Sequence, residues 1–489
     1  MVAVAGAQAA DLPVKAKPVE YVKVCSLYGV GYYYIPGTDI CMKVGGYVRA
    51  EYSYNYGTSM TTGPYATPSG YETRTDGHDF LMRSRAYITT ETRQQTAYGT
   101  LRTYLNVGLS YDSPSGAVFS GNRAFIQIAG FTIGLATSYF DFYAAAASSY
   151  LQLPSGDTGD GGWKVFAYTA QLGNGWSASL SLEEPRRSNV FNVDITNAYN
   201  LGTPAVDQIK IKWPDVVASM RVDQAWGSAQ VMGAIHDASG GYYGTTLTGS
   251  EVLGHPDNKI GWAVGAGIKI NFPMIAQGDF FQAQVTYTQG AIRYANFTQN
   301  GAFNPFMFDG KSLAYGMQSD AIYCGTSYNT NTTSCVNGGS GAAELQLTTA
   351  WGVNASYEHF WTPSLRSSLY GSYLKVSYND TAKAIWCNNV ASSPAAGTWG
   401  FAFGGENDRL LTGCNPGYSE WGFGSRTQWN VTKDFYMGVD VYYVKLQPEM
   451  SGLVFYNAAA GTAKPSGRYY VDDMDNVGTR VRFHRDIAP

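Results

Sequence analysis

The sequence predicts an all-β fold: a transmembrane antiparallel β-barrel of about sixteen strands, with long loops at one end. Three observations predict it. The first is parity. From Met42 to Tyr56 every even position is apolar, small or tyrosine (Met42, Val44, Gly46, Val48, Ala50, Tyr52, Tyr54, Tyr56), and every odd position is polar, glycine or tyrosine (Lys43, Gly45, Tyr47, Arg49, Glu51, Ser53, Asn55). A period of two gives a strand one greasy face and one wet face. The second is composition. Of 489 residues only 14% are charged, while 15% are aromatic, 57 are glycine and 38 are tyrosine; a soluble chain carries about a quarter charged residues. Mean hydropathy is −0.19, and no run of about 18 apolar residues offers a membrane-crossing helix. Barrel strands need none, because half of each strand faces water. The third is the alternation of long polar loops with short turns, the asymmetry of outer-membrane barrels.

Strand one spans about 41–56, and the Gly/Thr/Pro-rich segment 57–79 is a long loop. Strand two, about 80–93, puts Phe80, Met82, Ala86 and Ile88 outward against Arg83, Arg85, Tyr87, Glu91 and Arg93. A short turn at Gln94–Tyr98 leads to strand three, with Leu101, Leu105, Val107 and Leu109 outward and Arg102, Tyr104 and Asn106 inward. Strands four and five, about 122–138, flank an Ala129-Gly130 turn, and 139–162 is a long insertion. Strands six and seven, about 163–184, turn at Gly173-Asn174-Gly175; strands eight and nine, about 215–237, turn at Trp226-Gly227. Strand ten carries Ile260, Trp262, Val264, Ala266, Ile268, Ile270 and Phe272 on one face, and strand eleven is about 280–290. Strand twelve directs Leu345, Leu347, Trp351, Val353 and Tyr357 outward against Glu344, Gln346, Asn354 and Glu358. Strand thirteen is about 365–378. Strands fourteen and fifteen turn at Lys433-Asp434, with Phe435, Met437, Val439, Val441 and Tyr443 outward. Strand sixteen sets Val477, Thr479, Val481 and Phe483 outward against Arg480, Arg482 and His484.

Closure follows from backbone accounting, since an open sheet edge in hydrocarbon leaves N–H and C=O groups unpaired. Parity follows from energy: an Arg or Lys on the lipid face near the midplane costs about 2–4 kcal/mol. A soluble β-sandwich or solenoid, the competing fold, would show Lys and Glu on its outer face. Trp163, Trp176, Trp361 and Tyr436 are candidates for the aromatic belts at the membrane interfaces, with packing inside the barrel or loops as the alternative.

Residues 1–10 read as the remnant of an export signal, with Ala7-Gln8-Ala9 a small-x-small cleavage site. Residues 11–40 form a periplasmic lead-in and 41–489 the barrel. Six cysteines fall into near neighbours: Cys25 and Cys41, Cys324 and Cys335, Cys387 and Cys414. In an exported chain an even count suggests disulfides; the sequence does not fix which of about 15 connectivities is made, and near-neighbour pairing is the expectation. The last two couples fall on the longest loops, about 291–343 and 379–418. No CxxC or clustered histidine accompanies them, so no metal and no cofactor is expected. Net charge is −4 and pI about 5.8, which does not indicate a nucleic-acid partner.

Three stretches resemble one family. DLPVKAKPVEYVKVCSLYGVGYYYIPGTDICMKVGGYVR (11–49), RSRAYITTETRQQTAYGTLR (83–102) and NRAFIQIAGFTIGLATSYFDFY (122–143) are similar to the general-diffusion porins of Rhizobiales and related alphaproteobacteria. The resemblance runs over nearly the whole chain. It implies a homotrimeric, sixteen-stranded porin of the Gram-negative outer membrane, in contact with lipid and lipopolysaccharide, passing small hydrophilic solutes and ions. It also implies that the third loop folds into the barrel and narrows it. One departure stands out: barrels of this kind commonly end in an aromatic residue, whereas here Asp486-Ile487-Ala488-Pro489 follow the last strand.

No GxSxG, HExxH or P-loop appears, and the five histidines are scattered, so transport is expected rather than catalysis. Closure sets strand sixteen beside strand one. Their inward cations and those of strands two to four then form one basic wall: Lys43, Arg49, Arg83, Arg85, Arg102, Arg123, Arg480 and Arg482. In an inward third loop, Asp141, Asp157 and Asp160 would supply the acidic side. A transverse field of this kind orients dipolar solutes. Simpler readings stay open: arginines solvated in the lumen or paired with Glu51 and Glu91, Asp141 capping a short helix, and Asp157 and Asp160 in a plain Gly-rich turn. A substrate-selective channel or receptor, an outer-membrane enzyme and an adhesin are the alternative functions; saturable conductance, hydrolase activity and lack of conductance would distinguish them. Neutralising Arg49, Arg83 and Arg85 is expected to raise cation preference.

Overall fold

The computed structural model describes residues 24–55, 80–113, 116–142, 148–150, 162–192, 209–243, 254–296, 305–325, 343–389, 398–401, 414–457 and 466–487. Sixteen long strands are found among the described residues: β1 Cys41–Tyr54, β2 Phe80–Thr96, β3 Gly99–Asp112, β4 Gly116–Ile128, β5 Phe131–Ala136, β6 Trp163–Gly173, β7 Trp176–Glu183, β8 Asp215–Gln224, β9 Gly227–Asp237, β10 Ile260–Asn271, β11 Phe280–Gln289, β12 Thr349–Phe360, β13 Leu365–Ser377, β14 Tyr418–Asn430, β15 Phe435–Pro448 and β16 Met474–Asp486. Each pairs antiparallel with the next. β16 then pairs back to β1, from Tyr47↔Asp486 to Tyr54↔Thr479, and the sheet closes. The continuous ladder thereby pairs the backbone wherever neighbouring strands overlap and leaves the sheet no free edge strand, as a bilayer demands. No helix among the described residues is long and apolar enough to cross a membrane.

Parity is visible in the burial. Val48, Ile88, Leu109, Val264 and Val441 are exposed on the outer face, while Glu51, Glu358, Glu420 and Asp440 are buried on the inner one. The outward cations Lys164, Lys375, Lys445 and Arg485 sit near strand ends, each bridged to a carboxylate: Glu184, Glu449, Asp473 and Asp434. That placement keeps charge out of the hydrocarbon midplane. Trp176 and Trp361 are exposed near the short turns. Two other belt candidates are corrected. Trp163 stacks inside on Arg186 and Arg293, and Tyr436 stacks inside on His484 and Tyr150.

Strand boundaries differ from the sequence reading in two places. β3 runs to Asp112 and β4 starts at Gly116, so the second loop is a short connection. β12 starts at Thr349. Leu345 is buried with Val190, Tyr243, Ala321 and Tyr323, and Gln346–Leu347 pair with Ala321 and Ile322 in a separate small sheet. Leu345 and Leu347 are therefore loop core rather than lipid-facing; the short segment has the same period as a barrel strand, which hides the break.

Seven short turns lie at one end, between residues 97–98 and 431–434, and the long loops at the other. Loops are numbered here by the strand they follow: L3 (137–162) follows β5, L4 (184–214) β7, L6 (290–348) β11, L7 (378–417) β13 and L8 (449–473) β15. L6, L7 and L8 build a five-stranded sheet over the mouth, and L4 and L6 a three-stranded one. Beneath them Leu313, Tyr315, Ile385, Val454 and Val471 form an apolar core with inward residues of β13 and β15, among them Leu374, Val376, Val444 and Leu446. L7 also holds a helix, Asp380–Asn389. Cys387 is joined to Cys414 and Cys25 to Cys41, as near-neighbour pairing expects. Cys324 is disulfide-bonded as well, while Cys335 lies outside the described residues.

At the short-turn end, Asp279 closes the β10–β11 turn. It accepts hydrogen bonds from Phe360 N at 2.8 Å, His359 Nδ1 at 2.7 Å and the Tyr357 hydroxyl at 2.7 Å. Burial opposes its charge, but these donors outweigh burial and hold the carboxyl below its ordinary range. A depressed pKa stabilises the fold above the ordinary aspartate value and loses that stabilisation as pH falls below it. Asp279→Asn is therefore expected to lower the temperature of heat-modified gel migration at pH 7, and to lose most of its difference from the wild type near pH 3. An equal difference at both values would contradict the assignment.

Candidate functional site

L3 leaves β5 and enters the barrel. Its root is built on carboxylates of the wall. Ser138 Oγ donates to Glu183 at 2.5 Å and Tyr139 N at 2.9 Å. Phe142 N donates to Gln284 Oε1 of β11 at 3.0 Å. Phe142 lies against Gly267 of β10, where any Cβ would collide with the ring. Residues 148–150 of the same loop rest on the far wall. Tyr150 N and Ser149 Oγ donate to Asp440 of β15 at 2.5 and 3.1 Å, and the Tyr370 hydroxyl of β13 reaches its other oxygen at 2.5 Å. The Tyr150 hydroxyl donates to Gln428 Oε1 at 2.8 Å, pushed up in pKa by burial, and sits over Gly438, which leaves the room. L3 therefore crosses the lumen from β9–β11 to β13–β16. Because Asp440 gathers three donors, Asp440→Ala removes their shared acceptor, a cost of about 1–3 kcal/mol for each donor that finds no other partner. The expected readout in a lipid bilayer is a noisier open-channel current, and a variant trace as quiet as that of the wild type would contradict the anchoring role.

The expected basic wall divides in two. On one side Arg482 donates to Glu51 Oε1 at 2.6 Å, with its guanidinium 4.0 Å from the Tyr150 ring centre. Arg480 donates to Ser53 Oγ at 2.9 Å and to the Tyr150 carbonyl at 2.5 Å. Arg83 is bridged to Asp112 at 2.5 Å. All three are buried, and Arg480 and Arg482 lie against Tyr150 of L3. Arg49 donates to His484 Nδ1 at 3.1 Å and Arg85 to Ser110 Oγ at 2.8 Å; both are half-buried. On the other side Arg102 and Arg123 line an open cavity of about 630 Å³ bounded by β3 to β9 and the root of L3. Thr132, Thr169, Ser177, Ser179 and Ser219 add hydroxyls to it. A third arginine completes this face and was not among the expected residues: Arg221 of β8, paired with Asp223 at 2.8 Å and 5.3 Å from the Phe142 ring centre. Its odd-numbered parity with Val217 and Ser219 was the signal available. Lys43 lies at the short-turn end beside Gly31.

Asp141 lines the same cavity, but its carboxylate is held by Arg186 of L4 at 3.0 Å. Asp157 and Asp160 lie outside the described residues. Arg186 is fully buried, 4.6 Å from the Tyr294 ring centre and 5.2 Å from that of Trp163. Burial alone would depress its guanidinium; Asp141 and Tyr294 outweigh burial and raise it. The network continues outward. The Tyr294 hydroxyl donates to Asp215 at 2.8 Å, and His236 lies between Asp215 at 2.8 Å and Asp320 of L6 at 3.4 Å. Asp320 also accepts from Ser188 N and Ile292 N. L3, L4 and L6 thus share one buried charge network at the root of the constricting loop.

Porin Omp2b of Brucella melitensis is 31% identical over 241 residues, 47% of this chain and 60% of that protein, and porin Omp2b of Brucella abortus gives the same figures. The chain thus spans less than two thirds of the length of these relatives. The outer membrane channel DcaP of Acinetobacter baumannii shares the fold, with a TM-score of 0.54 at 13% identity over 92% of this chain and 99% of that one. Barrel and relatives together place the protein in the Gram-negative outer membrane. The sequence profile of the porin subfamily matches residues 11–479, nearly every strand of the closed sheet, and the chain belongs to that family.

Proposed function

We propose that the protein is a diffusion channel for small hydrophilic solutes and ions. The observation that carries this reading is the seating of residues 148–150 of L3 on β13–β16, with an open, hydroxyl-lined cavity on the opposite wall along β3–β9, which we read as the solute passage. Arg102, Arg123 and Arg221 face that passage and favour anions over cations there. Arg49 and Arg85 contribute at longer range, while Arg83, Arg480 and Arg482, with their carboxylate and carbonyl partners, hold the wall and L3 together. Stepwise currents from the purified protein in planar bilayers are the expected result; silent membranes would sink the proposal.

A second reading, a substrate-selective channel, draws support from two stacked aromatic pairs on the inner wall, Tyr47 with Tyr87 and Tyr104 with Phe125. Saturation of conductance by a solute would favour it. The trimer implied by the family resemblance is supported by the outer face of β1–β3, where Gly46, Ala50, Ser84, Ala86, Thr90 and Thr103 give a patch of small and hydroxyl side chains better suited to a neighbouring barrel than to acyl chains.

A further inference from the structure

The segment between Cys25 and Cys41 is a closed knot. The disulfide joins its ends, Tyr33 and Tyr34 pair with Met42 and Cys41 of β1, and Cys25 N donates to the Tyr32 carbonyl at 2.9 Å. A turn at 35–40, held by Ile35 N to the Ile40 carbonyl, returns the chain to the barrel. The knot does not lie on the lipid face. Its side chains touch inward-facing residues of β2 at the short-turn end. The Arg93 guanidinium lies 5.6 Å from the Tyr28 ring centre and 5.4 Å from that of Tyr32. The Tyr28 hydroxyl faces Gln95 Oε1 at 3.4 Å, and the Tyr32 hydroxyl hydrogen-bonds Glu91. Glu91 in turn holds both Arg93 and Arg102, each Nε at 2.7 Å. Arg102 is one of the cations of the open passage.

Two consequences follow from this placement. A segment resting on inward side chains occupies part of the lumen's cross-section. And the aromatic rings cover the Arg93–Glu91 pair, which without them would stand in water, where screening removes its influence within about 10 Å. Cation–π contact at partly exposed sites is strong enough to favour that arrangement.

We propose that the disulfide-closed knot 25–41 is a second narrowing of the channel, at its periplasmic end, and that Tyr28 and Tyr32 are positioning residues that hold Arg93 and, through Glu91, Arg102 along the path of passing anions. The proposal rests on the channel reading above. The test uses the full-length protein in planar bilayers under a potassium chloride gradient. Reductant is expected to raise the single-channel conductance of the wild type and to move its reversal potential toward cations. C25S/C41S should show both changes without reductant and no further response to it. Y28A/Y32A keeps the disulfide and should reproduce the reversal-potential shift. That readout does not move if the knot is only a staple. Wild-type conductance and reversal potential in both variants would overturn the proposal; should C25S/C41S fail to assemble, wild-type values in Y28A/Y32A overturn it alone. No current from the wild type would instead overturn the channel reading, and this inference with it.

Discussion

Replacing Arg186 with methionine is expected to cost about 3–5 kcal/mol, the usual penalty for breaking a buried ion pair by removing one partner. The geometry explains the size. Arg186 is fully buried, its charge balanced by Asp141 at 3.0 Å and its faces covered by Tyr294 and Trp163. Methionine fills much of the space but leaves Asp141 without this cation at the buried root of L3, with only the edge of the cavity to solvate it. The carboxylate then takes up a proton or pulls the root of L3 toward water. Heat-modified migration should shift to lower temperature, and the single-channel trace should show new substates as L3 loosens. The double variant R186M/D141N removes the stranded charge and should recover most of the loss. If R186M alone migrates and conducts as the wild type does, the buried network does not hold the loop.

Neutralising Arg102, Arg123 and Arg221 together to glutamine should shift the reversal potential strongly toward cations. A unit charge about 4 Å from an ion is worth about 1 kcal/mol even in bulk water, a several-fold change in relative permeability for each arginine that meets the ion. The arginines covered by L3 should behave differently. Arg480 and Arg482 lie against Tyr150, and Arg482 is matched by Glu51. Glutamine there is expected to weaken the fold and the seating of L3 more than to change charge selectivity. Equal reversal-potential shifts from the two sets would remove the division of the wall into an open and a covered half.

The barrel was legible because period two is enforced by two solvents at once. Val44, Val48 and Tyr52 meet lipid while Arg49, Glu51 and Ser53 meet the interior, and a one-residue slip would exchange them. The loop roof was not legible. Ser312–Tyr315 and Gly467–Val471 are four- and five-residue strands from different loops, paired in parallel, and no local pattern announces a partner more than a hundred residues away. Sequence placed the arginines on one inner wall and offered Glu51 and Glu91 as partners, which Arg482 and Arg102 take, but it did not foresee the contacts made by loops. Nothing in Glu183-Glu184-Pro185-Arg186 distinguishes a loop arginine in water from one buried against L3, because that depends on where a distant loop comes to rest. Gly267 and Gly438 carry the same lesson: both read as ordinary strand glycines, yet each makes room for an L3 ring.

The meeting of β1 and β16 has a consequence for assembly. Glu51 and Arg482 are 431 residues apart in sequence, so joining them closes a ring of nearly the whole chain, with an entropic term of about 5 kcal/mol beyond that of a contact between immediate neighbours. Such a contact forms late. Until it does, both edges offer unpaired amides to any passing strand. The bond of Arg482 to Glu51, of Arg49 to His484 and of Arg480 to Ser53 add side-chain attraction to the backbone ladder at the one junction that no turn brings together. The last step of barrel maturation is thereby fastened from the inside, by side chains of which Glu51, Arg480 and Arg482 are buried.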